Sequence, residues 1–158
     1  MTRIGCTIRF VGAIPSGRRF AAVRTATHRA IAEAWVATYL PRHFAAGAAG
    51  RYGYSPRSPK TRRRKQAQGR PYLVEQGELE RSARASAPYG IKAAPNYIRL
   101  SVDAPPYITQ QRRPKQPDYP AEVFDVTSPE EKDLMRVGEA KAAELLTNNR
   151  ETKTVQIG

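Results

Sequence analysis

The sequence has few of the residues from which disulfides, metal centres and membrane spans are built. One cysteine, Cys6, in 158 residues excludes an intramolecular disulfide. The two histidines, His28 and His43, form no cluster with it at zinc-site spacing, and we expect no metal and no cofactor. No apolar run approaches the roughly 18 residues of a membrane-spanning helix. The N-terminus, broken by Arg9 and Pro15, is expected to be neither a signal peptide nor a membrane span.

Acidic residues are scarce in the first half of the chain. Residues 1–70 hold 15 Lys and Arg against one acid, Glu33, which gives a balance of +14. Residues 71–158 hold 12 against 13, a balance of −1, so the whole excess behind the net charge of +13 lies in the first half. This asymmetry predicts an anionic partner for one surface, and phosphate is the usual candidate.

The length predicts one domain, residues 1–158, with appendages. From Arg18 to about Tyr39 apolar side chains recur at helical spacing. This pattern predicts an amphipathic helix of roughly six turns. Pro41 should end or kink it, because proline lacks an N–H and crowds the preceding turn.

Strand patterns lie at both ends of the first hundred residues. The alternation in "NYIRLSVDA" predicts a strand with one buried face, and "CTIRFVG" and "YGIKAA" predict two more. A polar helix or strand is expected to begin near Glu78, and "EVFDV" is interpreted as a short strand.

A second helix is predicted near the C-terminus. Ser128 as N-cap, Pro129 at the first helical position and Glu131 three residues after the cap form a capping box. Leu134 and Val137 belong to its predicted apolar face. We therefore expect an α+β fold, with a mostly antiparallel sheet packed on a long N-terminal helix and a second C-terminal helix.

Two segments are predicted to lie outside regular structure. Residues 51–71, "RYGYSPRSPKTRRRKQAQGRP", hold eight Lys or Arg and no acid, and we expect a basic loop in which "KTRRRKQAQ" is either a short helix turn or disordered. The preceding "HFAAGAAGRYGY" is not expected to be a rigid core element. Residues 105–120 hold five prolines and are predicted to form an extended arm or loop.

The basic loop has three interpretations. It binds phosphate, with Tyr52 and Tyr54 stacking on bases; or it docks on an acidic protein surface; or it is a solvated loop. The candidate phosphate-binding residues are Arg57, Lys60, Arg62, Arg63, Arg64 and Lys65. The sequence leaves the three open.

An enzyme is not expected. Neither histidine has a partner nearby in sequence, and the acids Glu75, Glu78 and Glu80 lie in a polar stretch, so a nuclease ranks third among the functions considered. His43 is expected to bond a carbonyl at the end of the long helix.

A succession of short phrases resembles the virion-morphogenesis or tail-completion proteins of tailed bacteriophages. A long helix ends in "LPRHF"; "RYGYSPR", a basic stretch and "LVEQGEL" follow; "PAE" precedes a capped helix. The matching positions are Pro41, His43, Phe44, Tyr52, Gly53, Tyr54, Arg57, Leu73, Val74, Gly77, Leu79, Pro120 and Glu122. The likeness covers roughly residues 20–140.

The resemblance implies a structural protein without catalytic residues. It implies a homo-oligomeric ring, hexameric under cyclic symmetry, at the head–tail junction of the virion, assembled in the host cytoplasm. The implied partners are copies of the chain, other neck, tail-terminator or head-closure proteins, and packaged DNA in the channel. Expected protein-interface residues are Tyr52, Tyr54, Arg57, Pro106 and Tyr107, although the two tyrosines equally suit cover for the protein's own helix.

The alternative function is a basic nucleic-acid-binding protein that contacts phosphates through residues 51–70. The candidate DNA-facing residues, in the ring or in this alternative, are Lys60, Arg62, Arg63, Arg64 and Lys65.

Overall fold

The computed structural model describes residues 2–9, 17–71, 77–106 and 118–148, and of residues 2–9 it describes the backbone alone. Within these ranges the helices are α1 (Arg18–Ala34), α2 (Leu40–His43), α3 (Ala48–Arg51), α4 (Pro59–Ala67), α5 (Glu78–Ser86), α6 (Tyr119–Phe124) and α7 (Ser128–Asn148). The strands are β1 (Thr2–Arg9), β2 (Lys92–Ala94) and β3 (Tyr97–Ala104). A π-helical segment, Trp35–Tyr39, joins α1 to α2, and a 3₁₀ turn, Ala87–Gly90, follows α5. The expected α+β fold is confirmed.

β3 is the central strand of the sheet, whose order is β1-β3-β2. Both neighbours run antiparallel to β3, and β2 reaches it through a tight turn. The predicted alternation is confirmed, because Ile98, Leu100 and Val102 are buried and Arg99 is exposed. Helices α1 and α7 pack over the buried face, where Ile31 and residues of both helices line a cavity of about 30 Å³ with Ile98 and Leu100.

The long first helix changes its winding before Pro41 and ends soon after it. α1 passes directly into the π-helical segment, where the N–H of Leu40 donates to the carbonyl of Trp35. Proline crowds the carbonyl four residues back, and a π turn is a known way to take up such a defect. The predicted interruption is therefore present as a π turn followed by α2.

The C-terminal helix is capped one residue earlier than the sequence suggested. The N–H of Thr127 donates to Glu130 Oε2 at 3.1 Å, and the carbonyl of Thr127 accepts from the N–H of Glu131 at 2.9 Å. Thr127 is thus the N-cap, with Glu130 as the carboxylate that reaches back to it, and the prediction of Ser128 with Glu131 is wrong. "TSPEE" satisfies the S/T-x-x-E pattern in both registers, and only the earlier register turns Glu130 into the core, where it is 3% exposed.

The packed face of α7 also differs from the predicted one. Leu134 is buried as expected, whereas Val137 is exposed and the neighbouring Gly138 is buried. The two long helices approach closely there, because a Cβ added to Gly138 would lie 2.8 Å from Ile31 Cδ1. The absence of a side chain therefore sets how near α7 can come to α1.

Helices occupy parts of both predicted irregular segments. Residues 59–67 of the basic loop form α4, which is one of the two alternatives for that stretch. Residues 119–124 form α6, so the strand predicted in "EVFDV" is wrong and the arm does not extend to Pro120. Asp118 caps α6 by accepting from the N–H of Ala121 at 3.0 Å, and Pro120 lies in the first turn, where its missing N–H costs no bond. Residues 107–117 lie outside the described residues.

The described elements share one hydrophobic core. Phe44, Ala48, Tyr52 and Tyr54 belong to it and are each at most 6% exposed. The expectation that "HFAAGAAGRYGY" would not form a rigid core element is therefore wrong. Gly47 and Gly53, whose φ angles are +80° and +61°, make the turns, while Ala48 and Tyr52 face inward.

Candidate functional site

The basic stretch contains a helix with defined ends. Ser58 is the N-cap of α4, because its Oγ accepts from the N–H of Thr61 at 3.3 Å, and a proline follows it at the first helical position. At the other end Gly69 has a φ of +61°, and the N–H of Arg70 donates to the carbonyl of Lys65 at 2.9 Å. This is a Schellman ending, which favours glycine at its left-handed position. The local sequence alone therefore begins and ends α4.

The side chains of α4 divide into an exposed set and one inward residue. The exposed cations are Lys60, Arg62, Arg63 and Arg64. Lys65 is 7% exposed, and its Nζ donates to the carbonyl of Pro71 at 3.3 Å. Four of the five candidate DNA-facing residues are thus on the surface. The fifth is corrected, since Lys65 ties α4 to the turn that follows it.

Tyr52 and Tyr54 lie in the core. The ring of His43 stacks on Tyr52 with the centroids 3.9 Å apart and the planes at 14°, and the rings of Tyr52 and Tyr54 are 5.8 Å apart. Trp35 continues the row 5.9 Å from His43. Their burial corrects the expectation that these tyrosines are exposed interface anchors or stack on bases, and it agrees with the alternative that they cover the protein's own helices.

Arg57 makes a bidentate ion pair with Glu122 inside the protein. Its Nη1 and Nη2 donate to the two carboxylate oxygens of Glu122 at 3.0 and 2.5 Å, and both side chains are nearly excluded from solvent. Glu122 Oε1 also accepts from the N–H of Ser55 at 3.0 Å. Opposite buried charges persist when they are paired and hydrogen-bonded in this way. Arg57 therefore fixes α6 against the segment before α4, and its assignment to a protein interface is corrected.

Glu130 is the hydrogen-bond partner of Tyr52. The hydroxyl of Tyr52 donates to Glu130 Oε1 at 2.8 Å, while Oε2 accepts from Thr127, and Arg42 Nη1 lies 3.8 Å from Oε1. Burial and the bond to Glu130 raise the pKa of Tyr52 to about 12. Sequence reasoning missed this role of Glu130. The signal was present in the earlier register of "TSPEE", which places a carboxylate at the third helical position.

His43 contacts Glu122 and both tyrosines. Its Nδ1 lies 2.9 Å from the carbonyl of Glu122 and 2.7 Å from the hydroxyl of Tyr54. A carbonyl can only accept, so Nδ1 carries the hydrogen of the neutral ring. Burial lowers the pKa of His43 and raises that of Tyr54. The prediction that His43 bonds a carbonyl at the end of the long helix is therefore wrong. The carbonyl that it bonds belongs to Glu122 on α6.

We call this set the polar network: His43, Tyr52, Tyr54, Arg57, Glu122 and Glu130. It is closed to solvent, and His43 is 0% exposed. A catalytic acid or base has to reach a substrate proton, which this closed arrangement does not permit. The network is suited to holding the helices together.

The other two predicted interface residues, Pro106 and Tyr107, lie at and beyond the end of a described range. Pro106 is exposed at the end of a described range, and Tyr107 lies outside the described residues. In the described part of the chain, no three His, Cys, Asp or Glu side chains come together to hold a metal ion. No helix within the same ranges is long and apolar enough to cross a membrane.

A second surface feature is an apolar groove between α1 and α7, of about 480 Å³. Phe20 is 39% exposed, Met135 57% and Leu146 38%, and all three line it. Arg24 and Thr27 also line the groove, and Arg24 Nε and Thr27 Oγ1 are buried without a hydrogen-bond partner among the described residues. The groove therefore combines apolar surface with polar atoms that lack a partner in the described part of the chain.

Comparison with known proteins gives no relative: no protein-family model, no curated protein and no solved structure matches this chain.

Proposed function

We propose that this chain is a structural protein of the neck of a tailed bacteriophage, which forms a ring at the head–tail junction and is needed to join the tail to the DNA-filled head. Its partners are other copies of itself and the neighbouring neck, tail-terminator or head-closure proteins. Its place is in the virion, after assembly in the host cytoplasm. The proposal assigns it no catalytic residue.

The observation that supports this proposal most is where the phrases of the resemblance meet. His43, Tyr52 with Tyr54, Arg57 and Glu122 come from three separate phrases and span some 80 positions of the sequence. In the fold they contact one another directly through the ring stack, the His43 bonds and the ion pair. The residues of the matched phrases therefore hold one connected part of the core together, and this supports a structural role for those phrases.

The apolar groove supports assembly, and we assign its occupant to a second copy of this chain. Phe20, Met135 and Leu146 expose apolar surface along the groove, and contiguous exposed apolar surface is typical of protein contact sites. The groove lining carries both signs of charge, Arg24 on α1 and Glu139 on α7, so another copy of the same chain offers the complementary charges. A neighbouring subunit would also supply acceptors to Arg24 Nε and Thr27 Oγ1.

Removing the protein from the virus tests the proposal. Electron microscopy of particles made after an early stop codon in this chain should show full heads beside unjoined tails. Intact, infectious virions would overturn the neck assignment.

The groove has its own test. Met135→Asp places a charge in the groove, and Val137→Asp places the same charge on an exposed position of α7 that does not line it. Sedimentation of the purified chain should show that Met135→Asp lowers the oligomeric state while Val137→Asp leaves it unchanged. Equal behaviour of the two variants would remove the groove from the subunit contact.

A further inference from the structure

The exposed surface of α4 is a concentrated cationic patch. Lys60, Arg62, Arg63 and Arg64 are exposed within nine residues. The sequence has no acid from residue 34 to residue 74. In the described part of the chain, Glu122 pairs with Arg57 and Glu130 bonds Tyr52 beside this stretch, and both carboxylates are buried.

The helix is preorganised to present these charges. Its N-cap and its Schellman ending are both formed by residues of the same short stretch. Lys65 and Arg57, which a sequence count adds to the patch, are tied to the fold instead. The exposed cations therefore lie on a helix that is capped at both ends, which lowers the ordering cost of binding.

The chemistry of the patch favours phosphate over an acidic protein surface. Protein interfaces have an apolar or aromatic centre from which charge is depleted. The exposed positions of α4 offer no large apolar side chain: besides the cations they are Pro59, Gln66 and Ala67. Three of the four exposed cations are arginines, whose planar guanidinium matches phosphate oxygens in a bidentate fashion.

The same surface favours the backbone of a duplex over the bases of a single strand. Binding of single strands uses aromatic side chains on which bases stack. The exposed positions of α4 hold no aromatic side chain, and the two tyrosines that precede the helix, Tyr52 and Tyr54, are buried. Nine helical residues span about 13 Å, and a duplex carries one charge per roughly 1.7 Å when both strands are counted, so a duplex of that length holds about eight phosphates.

We propose that α4 binds the phosphate backbone of duplex nucleic acid, without reading base sequence, through Lys60, Arg62, Arg63 and Arg64. This inference does not depend on the neck assignment, since it concerns the purified chain. Each cation that neutralises a phosphate releases a counterion, so affinity falls with added salt. Four contacts predict a slope of log affinity against log salt of about −4, or a loss of about 100-fold between 50 and 200 mM salt.

The test is fluorescence anisotropy of a labelled duplex of about 25 base pairs, titrated with the full chain over that range of salt. The test variant is Lys60→Gln with Arg62→Gln and Arg63→Gln, since glutamine keeps helix propensity. The matched control removes three exposed cations elsewhere, with Arg81→Gln, Lys92→Gln and Lys132→Gln. Both variants have the same net charge, so a difference between them reports position alone.

We expect the test variant to make the slope shallower by about 2.7 and the control to leave it near the wild-type value. A second duplex of different sequence should bind with the same affinity. Equal slopes for test variant and control would overturn the assignment to α4. Binding to polyglutamate as tight as to the duplex, and equally weakened in the test variant, would overturn the choice of nucleic acid in favour of an acidic protein surface.

Discussion

Arg57 and Arg63 stand six positions apart in one basic stretch and have opposite environments. Arg57 is 6% exposed and pairs with Glu122, whereas Arg63 is exposed on α4. The residue type and the local charge are the same, and the difference is made by a carboxylate 65 positions later in the chain. A count of basic residues therefore overstates the binding surface, because the fold uses some of them to hold itself together.

The comparison is tested most strongly by removing the buried cation. Arg57→Gln leaves the carboxylate of Glu122 buried without its counter-charge, and breaking a buried pair from one side costs about 3–5 kcal/mol. Urea denaturation should show a loss of this size in the free energy of unfolding. A loss below about 1 kcal/mol would mean that Arg57 is not part of the core.

A smaller effect is expected from one hydroxyl of the polar network. Tyr52→Phe keeps the ring stacked on His43 and removes the donor to Glu130, which leaves a buried acceptor short of one bond. The expected cost is about 1–3 kcal/mol. Tyr89→Phe is the matched control, since Tyr89 is 85% exposed and its substitution should change stability by less than about 0.5 kcal/mol. Equal effects of the two changes would contradict the burial of the Tyr52 hydroxyl.

The polar network should also make stability depend on pH. Burial lowers the pKa of His43 in the folded state below its ordinary value of about 6.5, so the unfolded state takes up the proton first. Above about pH 6.5 the neutral His43 imposes no cost on folding. As the pH falls below that value, the free energy of unfolding decreases by at most about 1.4 kcal/mol per pH unit. Unfolding free energies measured from pH 7.5 to 5 should decline for the wild type.

His43→Asn is the control for this decline, because it retains His28 and removes only the buried imidazole. The variant should be less stable throughout and should show a shallower decline over the same range, in which most carboxylates stay ionised. Identical declines in the two chains would show that His43 is not the group responsible.

The smallest change in the free energy of unfolding is expected from the exposed residue, Arg63. Arg63→Gln removes the same charge as Arg57→Gln from a position where the side chain is surrounded by water. Its unfolding free energy should stay within about 0.5 kcal/mol of the wild type. A loss comparable to that of Arg57→Gln would show that α4 is held by its cations and is not a surface element.

Local signals in the sequence were sufficient for much of the fold. The alternation that ends in Val102 predicted β3, and helical spacing predicted α1. Both patterns are decided within a few residues, because each element buries one face of its own. Where two local registers were equally good, as at Thr127 and Ser128, the sequence could not choose, since the choice depends on what Glu130 meets in the core.

The polar network could not be predicted, for a physical reason. Arg57 and Glu122 belong to separate segments, and nothing in either segment indicates that the other will lie opposite it. Tyr52 and Tyr54 suit a surface and a core equally well, because a tyrosine has an apolar ring and a polar hydroxyl. Their contacts with His43, the ring stack for Tyr52 and the hydroxyl contact for Tyr54, decide the outcome.

The most direct test of the division between buried and exposed cations is a double-mutant cycle on the unfolding free energy with Arg57→Met and Glu122→Leu. If the two side chains form a buried pair, the double variant loses less than the sum of the single losses, by about 2 kcal/mol or more, because no unpaired charge remains. Losses that add to within about 0.5 kcal/mol would contradict the pair. In that case Arg57 would be a surface cation, like Arg63.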